Sequence, residues 1–242
     1  MNSVLSFFNV AMPWDVTWAH RVNSRAALKR YCGSPDVMMI EGDISRSAAE
    51  GRMIMAHPPR QESDLTFEAW IEGIAEARKG AKLDFKDPSV VETCLEKLRE
   101  MDCGDLPVFL NADVLKGPGG PDSRFEPEGF VSVCNRLCPG GILSIGWTTG
   151  HAEGGRYSGE MVDQMLKMRE QVRGPVTFPA RAYYIRDSWG ELRRLIERPE
   201  DTLTLWNSEA VEEDLKAWLR GEMDPGRTFY DLTDADGSPM RL

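Results

Sequence analysis

No apolar run in the 242 residues approaches the roughly 20 needed to cross a bilayer, so no membrane span is read. The opening MNSVLSFFNVAMPW has neither a cationic start nor a long apolar core; no secretory leader is read and a cytoplasmic location is expected. Positive charge is scarce: 29 Lys and Arg against 39 Asp and Glu leave a formal net charge of -10 and a pI near 4.9. Such a chain repels phosphate backbones and anionic membranes, which argues against extended nonspecific nucleic acid as a partner and leaves room only for a local cationic pocket. Cys32, Cys94, Cys103, Cys134 and Cys138 contain no CxxC pair or zinc-ribbon spacing, and their odd number leaves at least one unpaired; reduced thiols are expected. No glycine-rich phosphate loop follows the first candidate strand, which weighs against a doubly wound nucleotide-binding sheet.

What is present is a regular alternation. At 41% hydrophobic content the chain is long enough for a full core and has the size of one α/β barrel. Eight short apolar runs read as strands: 15–20, 37–43, 52–57, 81–86, 107–113, 142–147, 176–182 and 202–206. Amphipathic segments separate most of them, such as LTFEAWIEGIAEARK, where Ser63 or Asp64 could cap the first turn. Only ISRSAAEG, between the second and third runs, is too short for a helix. The pattern predicts an α/β fold, a single (β/α)8 TIM barrel spanning residues 1–242 as one domain, with a helix-poor connection between strands 2 and 3. The stretches KGPGGPDS and GHAEGGRYSG follow strands, where substrate-covering loops belong, and the tail from Asp224 onward reads as a polar segment packed outside.

The chemistry gathers at strand ends, which converge on one face of a parallel barrel. Glu41 and Asp43 are two apart and so project to one side of the second strand. Adjacent carboxylates repel unless a cation or proton is shared, and Asp84 can add a third oxygen ligand. An all-oxygen set suits Mg²⁺, with Ca²⁺ and Mn²⁺ as alternatives, better than zinc. His20 and His57, two of only three histidines, both end apolar runs and can act as the acid and base of a displacement at phosphorus. His151 sits in a glycine-rich loop and reads as exposed. Lys82 and Lys86 share a face with Asp84 and can neutralise phosphoryl oxygens, although Lys82 could instead pair with a carboxylate inside the barrel. Asn23 either donates to a phosphoryl oxygen or caps the next helix. Asn111, Asp113, Trp147, Arg181 and Trp206 end the fifth to eighth runs and ring the same mouth, Arg181 as an anion fork and the tryptophans as candidate substrate walls.

TWAHRVNS, MMIEGDI, MAHPP, SDLTFEAWI, KGAKLDFKD, PVFLNADVLKGPGG, SIGWTT, PVTFPARA and LTLWN together resemble the menorin family, in order, over most of residues 16 to 207. That family is similar to the phospholipase-C-like phosphodiesterases, among them glycerophosphodiester phosphodiesterases and sphingomyelinase D. The resemblance implies a divalent ion on Glu41, Asp43 and Asp84, histidines His20 and His57 flanking the scissile phosphate, and attack by a neighbouring substrate hydroxyl with a cyclic phosphate formed on the way. MAHPP lacks the aspartate that follows the histidine in glycerophosphodiesterases, and no lipid-docking loop is evident. The expectation is therefore a metal-dependent phosphodiesterase, hydrolase or cyclising lyase, acting on a small soluble phosphodiester or short nucleic acid such as an RNA end. The alternatives are a binding or adhesion module that keeps the barrel without catalysis and, more weakly, an enolate-forming barrel.

Overall fold

The computed structural model describes residues 2–101, 105–234 and 237–240; Cys103 lies outside the described residues. The chain runs α1 (Asn2–Phe8), β1 (Trp18–Ala19), α2 (Arg25–Cys32), β2 (Met39–Arg46), β3 (Met53–Met55), α3 (Phe67–Glu76) and β4 (Gly80–Phe85). It continues through α4 (Val91–Glu100), β5 (Val108–Lys116), α5 (Pro127–Leu137), β6 (Ile142–Thr148), α6 (Gly159–Arg169) and β7 (Val176–Arg181). The last elements are α7 (Ala182–Leu192), β8 (Thr202–Trp206), α8 (Glu213–Glu222) and β9 (Thr228–Asp231). Side-chain caps start several helices: Ser24 accepts from the Ala27 N–H, Thr66 from Ala69 and Ser158 from Met161. The cap of α3 is thus Thr66 and not Ser63 or Asp64. Ser63 instead donates to the Asn23 carbonyl, and Asp64 accepts from the Arg25 backbone.

The parallel strands follow the order β1-β2-β4-β5-β6-β7-β8-β9, a nearly closed eight-stranded barrel whose seam lies between β1 and β9. The barrel was expected, but two strand assignments change. The run at 52–57 is not the third barrel strand: its core, β3, folds back antiparallel on β2, pairing Ile44 with Met55. A parallel return needs a crossover of about a dozen residues, and the segment joining β2 to β3 is too short for one. The eighth place is taken by β9, from the tail expected to pack outside; TFYD is fully buried and pairs in parallel with β8.

Period-two alternation divides the barrel interior into levels. Trp18, Phe109 and Phe229 meet edge to face across the bottom, with centroid separations of 5.4, 5.9 and 5.5 Å, and α1 adds Val4, Leu5 and Phe8 beneath them. Above this apolar floor the barrel is polar, with Glu41, Lys82, Asn111, Ser144, Thr177, Thr204 and Asp231 all buried. These groups bond across strands: Ser144 donates to Asn111 Oδ1 at 2.6 Å, Asn111 donates to Asp84 Oδ1 at 2.9 Å, and Thr177 meets Thr204 at 2.7 Å. A floor that excludes water beneath a hydrogen-bonded belt holds the residues of the upper level in set positions. Among the described residues no helix is long and apolar enough to cross a membrane.

Candidate active site

The register sets the carboxylates side by side. Glu41 is level with Lys82, and Asp43 with Asp84, on the paired strands β2 and β4. Each of Glu41, Asp43 and Asp84 brings one oxygen within 4.8 Å of the others, and all three residues are buried. Asp43 is gripped by Asn23, whose amide donates to Oδ2 at 2.6 Å while its own oxygen accepts from the Asp43 N–H at 2.9 Å. Asn23 therefore neither caps a helix nor lines the central cavity; Ser24 is the cap. Lys86 donates to Asp84 Oδ2 at 2.8 Å and lies 3.3 Å from Asp43 Oδ1.

Glu41 has one oxygen satisfied and one orphaned. Oε2 accepts from the Arg21 N–H at 2.6 Å and sits 3.2 Å from His20 Nδ1, whereas Oε1 is buried without a hydrogen-bond partner among the described residues. Burial pushes the Glu41 carboxyl up to about 7, with repulsion from Asp43 and Asp84 adding to it and His20 opposing. Such an oxygen calls for a cation. The site fits a divalent ion held by hard oxygen ligands.

His20, just past β1, reaches across the barrel seam. Its Nδ1 lies 3.1 Å from Asp231 Oδ1, and Asp231 Oδ2 accepts from the Lys82 ammonium at 2.8 Å. Burial works against the imidazolium, yet Glu41 and Asp231 outweigh it and raise His20 to about 9. Lys82 lines the cavity, but its ammonium is committed to Asp231 and is not free for substrate. Asp231 was missed in the sequence because its strand was read as tail; the only signal was the short aromatic-bearing run TFYD.

Asp231 should therefore support both His20 and the barrel seam. Burial opposes its ionisation, but Lys82 and His20 dominate and hold its carboxyl well below the usual range. A group with a depressed folded pKa stabilises the fold above its unfolded value, about 3.9, and that contribution fades as pH falls through the folded value. Asp231→Asn is expected to cost about 3–5 kcal/mol near neutral pH, as for a broken buried pair. Urea unfolding from pH 7 to pH 2 should show this gap persisting to about pH 4 and narrowing below it.

His57 follows β3, is exposed, and lines the same cavity. Its Nδ1 lies 2.6 Å from the Pro58 carbonyl. A carbonyl only accepts, so Nδ1 carries a proton, and in the neutral ring the lone pair is on Nε2.

The cavity, about 240 Å³, is lined by His20, Asp43, His57, Lys82, Asp84 and Lys86, and by Asn111, Asp113, Thr149, Pro179, Arg181 and Trp206 among others. The sequence thus placed most of its candidates around one space. Trp147 is not there: inward positions on β6 are Ser144 and Gly146, so Trp147 faces outward and packs on Tyr157 at 5.0 Å. Arg181 reaches the cavity with both Nη groups occupied, while its Nε is buried without a hydrogen-bond partner among the described residues. Its Nη1 donates to the Gly150 carbonyl at 2.7 Å, and its Nη2 to Ser208 and to Glu209 at 2.8 Å.

Arg21 was also passed over. It adopts a left-handed backbone with φ +56°, which aims its N–H at Glu41 and leaves its exposed guanidinium at the rim. There it is shared by the central cavity and two flanking grooves of about 560 and 760 Å³. The glycine-rich loops form a wall rather than a separate lid. Gly119 bridges Thr149, and a side chain on Gly120 or Gly150 would come within 2.2 Å of Thr148 O or 2.1 Å of Gly119 O. His151 is exposed and stacks on Tyr183 at 5.3 Å.

A sequence model of the menorin N-terminal domain matches residues 14–236. The chain belongs to the menorin family. Human protein FAM151B is 34% identical over 231 residues, covering 91% of this chain and 83% of that protein. Two solved structures share the menorin barrel's architecture. One is a phosphodiesterase from Oleispira antarctica in complex with its product sn-glycerol-3-phosphate (TM-score 0.54, 12% identity, 88% of this chain and 92% of that chain). The other is a glycerophosphodiester phosphodiesterase from Agrobacterium tumefaciens (TM-score 0.54, 10% identity, 89% and 96%). At those identities the likeness is one of fold. It establishes a TIM barrel, which here carries a buried acidic group able to hold a metal.

Proposed function

We propose that this menorin-family barrel is a divalent-metal-dependent phosphodiesterase acting on a small soluble phosphodiester, nucleotide and RNA-end diesters among them. The observation that carries the reading is the pairing of two histidines with Asp43 and Asp84 around one cavity, with Glu41 buried within 4.8 Å of those two carboxylates. Glu41, Asp43 and Asp84 would hold the cation, for which Mg²⁺ is the proposed choice, and its charge would neutralise a nonbridging phosphoryl oxygen. The two histidines differ in a way that assigns their roles. His20 faces two carboxylates, which favour the protonated ring, so it acts as the acid that protonates the leaving oxygen. His57, with Nδ1–H tied to a carbonyl so that its neutral ring presents the Nε2 lone pair, is the base that takes the proton of the attacking hydroxyl. The exposed guanidinium of Arg21 meets the phosphoryl charge, and Lys86, paired with Asp84 and Asp43, adds its charge from the cavity wall, while the Lys82 ammonium and the Nη groups of Arg181 are engaged elsewhere in the protein. Trp206 offers a partly exposed ring on the cavity wall against which a base or sugar can pack.

Phosphorus NMR tests this with glycerophosphodiesters, lysophospholipids, cyclic nucleotides and short RNA, each with Mg²⁺ or EDTA. A new resonance that requires Mg²⁺ is expected, and its shift distinguishes a cyclic from an open phosphate. Spectra unchanged across the whole panel would count against the reading and favour a binding module.

A further inference from the structure

We propose that the groove between α2 and the β8–α8 connection binds a second phosphate, carried by the leaving group, with Arg30 as its cationic partner, so that the site prefers diesters whose leaving alcohol is itself phosphorylated. A nucleoside phosphate and a glycerol phosphate share this chemistry. The inference rests on the phosphodiesterase reading and deepens it by naming the substrate class.

The central cavity, at about 240 Å³, is smaller than the roughly 300–1,000 Å³ of a small-molecule site, so most of the two alcohol moieties of a diester lies outside it. Two flanking grooves can take them, and each holds a different histidine. The groove of about 560 Å³ is lined by His57 and not by His20, whereas that of about 760 Å³ is lined by His20 and not by His57. Arg21 is common to both grooves and to the central cavity. With His57 taking the proton of the attacking hydroxyl and His20 giving one to the leaving oxygen, the leaving alcohol enters the larger groove.

Charge also separates the two grooves. The carboxylates that line the larger one are already paired, Glu209 with Arg181 at 2.8 Å and Asp234 with Lys216 at 3.7 Å. Arg21 and Arg30, both exposed, form no ion pair among the described residues. The Arg30 guanidinium lies over the Tyr31 ring at 5.1 Å, and the Tyr31 hydroxyl donates to the Gly237 carbonyl at 3.1 Å. The ring thus props the guanidinium at the groove without using its N–H groups, and an open fork of that kind matches a phosphate. The smaller groove lacks this surplus. Arg60 there is offset by Glu62, which forms no ion pair among the described residues and leaves its negative charge facing the same space. In a chain of net charge -10, two arginines without carboxylate partners on one side of the mouth mark a place for an anion.

Isothermal titration in Mg²⁺ at low ionic strength tests this with methylenephosphonates, in which a carbon replaces the leaving oxygen and the alcohol cannot depart. Two matched pairs are used, analogues of uridylyl-adenosine and of glycerophosphoglycerol, each with and without a phosphate on the leaving moiety. The native chain is expected to bind the phosphorylated member of at least one pair about 10-fold more tightly, with the preference shrinking as salt is added. The pair that shows the preference tells nucleoside from glycerol. Arg30→Ala should bring the ratio close to one. Arg60→Ala, which removes the same charge from the other groove, should leave the ratio as in the native chain. Both side chains belong to exposed residues, so neither substitution threatens the fold. Equal affinities in both pairs, no binding by any probe, a preference that survives Arg30→Ala, or one lost equally in Arg60→Ala would each overturn the proposal. Metal-dependent turnover of bis(4-nitrophenyl) phosphate, measured on the native chain, reports on the phosphodiesterase reading separately. Its absence alongside a preserved preference would remove that reading and leave the groove as a phosphate-binding subsite.

Discussion

Phosphodiester turnover by His57→Ala is expected to fall by about 10²- to 10⁴-fold while the melting temperature stays near that of the native chain. The contrast follows from the surroundings of the ring. His57 is exposed and its one bond runs to the adjacent Pro58 carbonyl, so truncation removes little packing and leaves no buried group stranded. Exposed substitutions of that kind stay within about 0.5 kcal/mol. His20→Ala should lose activity to a similar degree but also stability, by about 1–3 kcal/mol, because Glu41 and Asp231 are left buried without their shared donor. Steady-state rates and thermal melts on both variants check the pair. Full activity in His57→Ala would remove it from the base role, and an unchanged melt in His20→Ala would show that the seam contact is not stabilising.

Metal addition carries the second large effect. With Mg²⁺ at about 100 times its Kd the folded state gains about 2.7 kcal/mol, which for a chain of this size raises the melting temperature by roughly 5–10 °C. Glu41→Gln should abolish that rise and weaken Mg²⁺ binding by at least about 100-fold, since even indirect ligand support is worth 10–100-fold. In EDTA the same variant should melt at or above the native temperature. The native Glu41 is a buried carboxylate with an orphan oxygen, crowded by Asp43 and Asp84, and a neutral amide relieves that repulsion. Differential scanning calorimetry with and without Mg²⁺ reads both effects. A native chain that fails to respond to any divalent ion would argue against the metal site, and a Glu41→Gln variant that still responds would move the ligand role elsewhere.

The residue pattern determined a good deal by itself. Strand periodicity set Glu41 beside Asp43 and Lys82 beside Asp84, and strand-end placement marked His20, His57, Asn111, Arg181 and Trp206 before any coordinates, because in a parallel barrel position along a strand translates directly into height in the mouth. The same rule places Trp147 elsewhere: one residue beyond the inward-facing Gly146, it belongs to the opposite face and packs on Tyr157.

Tertiary structure alone decided the rest. Whether an apolar run such as MIM closes a barrel or folds back on its neighbour depends on the chain available for a crossover, and a short tail segment becomes a strand only when an open edge awaits it. For the same reason the partner of His20, at 211 positions' remove, could not be read from spacing. Which charged groups remain free is likewise a matter of three-dimensional neighbours: Lys82 and Arg181 look available as residue types but are paired, whereas the cation Arg21 is exposed at the cavity. Sequence periodicity reports which way a side chain points, but the groups it meets there are set by long-range packing.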